Sequence, residues 1–141
     1  LSTYMHKDKG GKLKMGPIWD LNIAYNIGGR VPDDNWIINY NDFVPDDLWL
    51  VHFWWKRLMQ DPQFKSQLKT RWFALRASVF SDDQILGLVD QTATYLIENG
   101  AIERNYNRWP ILSFDYNDRI NQLRNFLSNR LNWMDSEIGS Y

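Results

Sequence analysis

Two helix starts written into the second half of the chain constrain its fold more than any other feature. Asp61-Pro62 places an N-cap carboxylate directly before a proline at the first helical position. There the missing N–H costs nothing and the fixed φ already suits a helix. Phe64, Leu68, Trp72, Leu75 and Val79 follow at helical spacing. Ser81-Asp82-Asp83-Gln84 is a capping box, and its helix directs Ile85, Val89, Ala93, Leu96 and Ile97 inward until Asn99-Gly100 stops it. Residues 101–109 continue helically to Trp109-Pro110. A last helix, about Tyr116 to Met134, carries Ile120, Leu123, Leu127, Leu131 and Met134 on one stripe.

The first half reads differently. Residues 2–9 and 12–19 form two strands around Gly10-Gly11, with Lys12 and Lys14 on one face and Leu13 and Met15 on the other. Asn22 to Val44 is loop-like, with Gly28-Gly29, Pro32 and many Asn and Asp residues. Pro45-Asp46-Asp47 resembles a further helix start, and Leu48 to Met59 is apolar nearly all round, as in a covered helix. The expected fold class is mainly α: an N-terminal β-hairpin followed by a bundle of four or five helices, in a single domain over residues 1–141.

Several function classes are excluded. A net charge of −1, from 16 basic and 17 acidic residues, provides no field to recruit nucleic acid or an anionic membrane. No apolar run is long enough for a transmembrane segment. Cysteine is absent, which removes disulfides and thiolate metal sites. His6 and His52 lie far apart without the spacing of a zinc site, and surface or core roles suit them better. "KDKGGKLK" lacks the spacing of a phosphate-cradling loop, and no serine sits in a nucleophile elbow. Of the acidic pairs Asp33-Asp34, Asp46-Asp47 and Asp82-Asp83, the last two fall at helix starts, where capping explains them. Trp49, Phe53, Trp54 and Trp55 suit either a stacking platform for sugars or peptides or a packed core, and the apolar context favours the core.

Asp20 is harder to explain. It follows the second strand after Gly16-Pro17, among Ile18, Trp19 and Leu21, with Asn22 two residues on. Trp19 is expected to anchor the strand in the core while Asp20 faces a cleft. Such a carboxylate needs a cation, N–H donors or water. Asp20 and Asn22 both offer oxygen to a hard cation such as Mg²⁺. A metal ligand and a turn-forming Asp remain equally open on the residues alone.

The run "STYMHKDKGGKLKMGPIWDLNIAYN" resembles the CotH kinase family, atypical protein kinases related to spore coat protein H. There a Tyr-rich hairpin with KD…GGKL leads into G-P-x-W-D-[FLY]-[DN]. "DPQFKSQLKTRWFALR" is similar to the family's middle, and "NRWPIL" with "LRNFLSNRLNWMD" to its C-terminal end, so the resemblance covers almost the whole chain. It implies the C-terminal lobe of an atypical protein kinase. In that frame Asp20 is the Mg²⁺-binding acid and Asn22 a supporting ligand or orienter at a position where Asp is also common.

The resemblance further implies Mg²⁺ and ATP as cofactors of an intact parent and a Ser- or Thr-bearing protein as substrate. It also implies a cell-envelope or secreted setting. The nucleotide-gripping lobe with its Lys, and the catalytic acid, are expected upstream of Leu1, so this chain alone should be inactive. Its hairpin edge offers pairing to a second copy. The competing expectation is a non-catalytic module: an aromatic-rich glycan- or protein-binding domain, or a degenerate kinase scaffold.

Overall fold

A computed structural model describes residues 4–25, 29–48, 50–112 and 115–141. It contains two compact units, Leu1–Phe53 and Trp54–Tyr141.

The first unit opens with a hairpin of β1 (Met5–His6) and β2 (Lys14–Met15), antiparallel with Met5 opposite Met15 and His6 opposite Lys14. The paired length is much shorter than the sequence suggests. The Gly11 N–H donates to Asp8 O at 2.9 Å, and Gly10 adopts φ 74°. The reversal is therefore centred on Lys9-Gly10 rather than Gly10-Gly11, and Gly10 meets its left-handed requirement without a Cβ penalty. Lys12, Leu13, Lys14 and Met15 are all exposed, so neither face of the hairpin is covered. Two paired residues per strand cannot cover an apolar face.

Beyond the hairpin, a 3-10 helix spans Asn22–Tyr25, another spans Ile37–Asn39, and α1 (Tyr40–Phe43) follows directly. The described residues between 22 and 44 are thus less loop-like than their Asn and Asp content implies. Asn35 explains one part of this, because its Oδ1 accepts from the Trp36 N–H at 2.8 Å and from Asn39 Nδ2 at 2.7 Å. A short polar side chain here builds the turn instead of breaking it.

The helix expected from Pro45 through Met59 is replaced by a turn and a short helix, α2 (Phe53–Leu58). Among the described residues no helix begins at Asp47, whose carboxylate accepts from Arg30 and Tyr40. The Val51 N–H donates to Asn41 Oδ1 at 2.8 Å, a side-chain partner in place of a helical carbonyl. Leu48 (95% exposed) and Phe53 (81%) are far from the covered positions expected of them. Trp54 and Trp55 are half-buried and pack on each other, ring centroids 4.2 Å apart. Trp49 lies outside the described residues.

The second unit follows the capped starts closely. In α3 (Pro62–Arg76), Asp61 Oδ1 accepts from the Gln63 and Phe64 N–H groups at 2.8 and 3.3 Å. In α4 (Asp82–Glu98), Ser81 Oγ accepts from the Gln84 N–H at 3.3 Å. The Ser81 N–H itself donates to Ser78 O, which occupies the group a capping-box Gln84 side chain would reach. Gly100, at φ 62°, turns the chain into α5 (Ala101–Arg108), and a 3-10 turn at Pro110–Leu112 leads on. The final helix, α6 (Tyr116–Gly139), is capped by Asp115, whose Oδ1 accepts from the Asp118 N–H at 3.0 Å.

α6 extends past Met134 by another turn, which brings Ile138 onto the stripe of Leu127, Leu131 and Met134. It packs against α3 and α4. The buried apolar side chains among the described residues are Trp72, Ala93, Leu131 and Ile138, all in this unit. Two expected inward residues point outward: Val79, beyond the end of α3, and Ile97, a full helical step from Leu96. The architecture is mainly helical with an N-terminal hairpin, as expected, with six α-helices rather than four or five among the described residues.

Candidate functional site

Asp20 sits between β2 and the first 3-10 helix, and its backbone takes φ 53°. A left-handed conformation is uncommon outside glycine, although Asp tolerates it better than most residues because its short side chain can hydrogen-bond locally. The start of the motif is conformationally special as well: Gly16 has φ 127° and the Gly16-Pro17 peptide is cis. Asp20 is exposed, as is Asn22 at the start of the 3-10 helix, where the Ala24 N–H donates back to Leu21 O at 3.0 Å.

The carboxylate and carboxamide singled out in the sequence therefore lie on one short turn, open to solvent. Trp19 does not anchor this turn in a core as expected. It is 64% exposed, and Ile18 and Leu21 beside it are exposed too. The turn leaves the hairpin after two paired residues, before any apolar layer forms that could receive the indole.

Among the described residues no group of three or more His, Cys, Asp or Glu side chains is placed to hold a metal. On this turn Asp20 brings a carboxylate and Asn22 a carboxamide oxygen, both on exposed residues.

Sequence reading missed a second polar assembly in this unit. Arg30 Nη1 donates to Asp47 Oδ2 at 2.8 Å and to Tyr40 OH at 3.0 Å, and the Tyr40 hydroxyl donates to the same Asp47 oxygen. Asp47 is largely buried while Arg30 lies mostly in solvent. The hydrogen bond to Tyr40 first, then the charge of Asp47, holds the Arg30 guanidinium above its ordinary pKa. The only hint in the sequence was Asp46-Asp47 itself, read as a cap.

In the second unit Asp135 is the corresponding centre. It accepts from Trp72 Nε1 at 2.7 Å and from Arg76 Nε at 3.0 and 3.1 Å, and Arg76 also pairs with Asp82 at 2.8 Å. The assembly joins α3, α4 and α6 and is architectural. No described helix is long and apolar enough to cross a membrane.

A search of curated proteins and of solved structures returns no match. A family model described as "CotH kinase protein" matches residues 1–134 of the 141. The match runs through the hairpin, the Asp20 turn and all but the last turn of the helical unit, so the chain belongs to the CotH kinase protein family.

Proposed function

We propose that this chain supplies the metal-holding turn and the helical part of a protein kinase domain. The domain transfers phosphate from Mg-ATP to a Ser or Thr hydroxyl on a partner protein. Both units belong to that one domain, and the family match spans both. The observation that carries the reading is the Gly16-Pro17-Ile18-Trp19-Asp20-Leu21-Asn22 run within the matched residues, with Asp20 an exposed residue on a left-handed backbone.

In this reading Asp20 is the principal ligand and Asn22 holds or orients the second position. When bound, Mg²⁺ supplies positive charge against the phosphate oxygens and offsets the negative charge that builds on them during transfer. Asp20 contributes a full negative charge that fixes the cation. Asn22 contributes an uncharged oxygen, which leaves the pair weaker toward a second cation than two carboxylates. Phosphoryl transfer also needs a phosphate clamp and an acid that orients the incoming hydroxyl. The residues named here provide neither, so transfer by this chain alone is not expected.

The test is phosphate transfer from labelled Mg-ATP by the full-length protein and its Asp20→Asn variant. Loss of a metal ligand in such a site costs several kcal/mol of transition-state stabilisation, so a fall of about a hundredfold or more is expected. Unchanged transfer would remove Asp20 from the metal site. A full-length protein that transfers no phosphate under any metal would favour the scaffold reading.

A further inference from the structure

The corner between α4 and α5 holds the one Asn-Gly pair in the sequence, Asn99-Gly100. With no Cβ on the glycine, its backbone nitrogen approaches the preceding carboxamide with the least steric hindrance of any residue. Asn99 is exposed, so water reaches the group. Both reacting partners are nevertheless occupied. Asn99 Nδ2 donates to Tyr95 O at 2.8 Å, and the Gly100 N–H donates to Ile97 O at 2.9 Å. Arg104 Nη1 donates to Asn99 O at 2.7 Å and holds the corner from the α5 side.

We propose that Asn99 is a deamidation site gated by this corner: unreactive while the corner is closed, reactive when it opens. In the open state the Gly100 nitrogen attacks Asn99 Cγ and forms a new C–N bond. The Cγ–Nδ2 bond breaks, the Gly100 amide proton leaves with the departing nitrogen as ammonia, and a succinimide remains. Water then adds at one of its two carbonyls, breaks a ring C–N bond and yields aspartate or isoaspartate. Nothing is oxidised or reduced, and water is the only co-reactant.

The product differs from the parent in three ways. It adds one negative charge to a chain of net charge −1. It removes the Nδ2–H donor from Tyr95 O. It also sets a carboxylate at the C-terminal, electronegative end of α4. Each change disfavours the closed corner, so modification and opening reinforce each other.

The test compares the whole protein, native and in urea, at mildly alkaline pH. Peptide mapping separates Asn, Asp and isoAsp at position 99, and isoelectric focusing reads the added charge. Conversion in urea is expected to be at least about tenfold faster than in the native protein, since local opening carries its own free energy. Arg104→Ala should raise the native rate severalfold and leave the urea rate unchanged, provided the variant still melts cooperatively. Gly100→Ala should slow the reaction in urea. Equal rates native and in urea, or an Arg104→Ala protein as slow as the parent, would overturn the gate. No conversion in urea, or a Gly100→Ala chain reacting as fast as the parent, would overturn the site and its chemistry.

Discussion

Asp135 accepts from the Trp72 indole and from Arg76, and so satisfies two donors that would otherwise lie partly buried without partners. Its replacement by Ala strands the Trp72 indole N–H and the Arg76 Nε–H, although the rest of the guanidinium keeps Asp82, and leaving such groups unpaired costs about 1–3 kcal/mol. Asp135→Ala should therefore lower the melting temperature clearly in calorimetry, whereas Asp135→Asn, which keeps an acceptor oxygen, should lose less. Arg76 is raised above its ordinary pKa, chiefly by its hydrogen bond to Asp135 and also by Asp82. A raised basic group contributes fully below its unfolded pKa and loses that contribution only as pH climbs through the folded value, so the pairing persists into strongly alkaline solution. Asp61 illustrates a different residue-scale effect. Its carboxylate serves the first N–H groups of α3, and Asp61→Ala should cost about 1 kcal/mol while Asp61→Asn, a comparable cap, costs almost nothing in the same melt. A large loss in the Asn variant would instead point to charge.

At the scale of elements, α4 was readable from residue order because a capping side chain, apolar spacing near 3.6 and a stop coincide there, α3 from its cap and spacing, and α6 from its spacing alone. Asp61, Ser81 and Asp115 all cap in the structure, although Asp115 had gone unremarked. The apolar run from Leu48 to Met59 misled because hydrophobicity without period gives no direction. Asp47, which should have started that helix, is drawn away by Arg30 and Tyr40, partners seventeen and seven positions upstream that no local pattern reveals. The hairpin was visible as a hairpin, but its length was not, since ladder length depends on what covers it. Asp20 and Asn22 were only half legible. Spacing left a metal and a turn equally open, and the left-handed backbone at Asp20 shows that a turn is present whatever the carboxylate holds. The metal role rests on the family's motif.

For the molecule as a whole, the distribution of buried side chains sets the order of loosening. Every fully buried apolar residue among those described lies between α3 and the end of α6. The first unit relies on polar links such as Arg30–Tyr40–Asp47 and Asn35–Asn39. Hydrogen exchange should accordingly be fast through residues 5–25 and 29–47 and slowest in the middle turns of α3, α4 and α6. Equal protection in both units would contradict this. Ile138 is 1% exposed, the least accessible of the core residues, yet it lies beyond Met134, where the family match ends. Next to it, Lys69 Nζ donates to Gly139 O at 2.6 Å and to Tyr141 O at 3.1 Å. Recurrent sequence and physical necessity thus stop at different places. A shortened chain cut at the edge of the match loses its best-packed side chain and the acceptors of Lys69. Removing a buried Ile side chain down to Ala alone typically costs about 2–5 kcal/mol. Chains ending after residue 134 should therefore melt well below those ending at 141, and the seven residues that family comparison leaves out are the ones that close the helical unit.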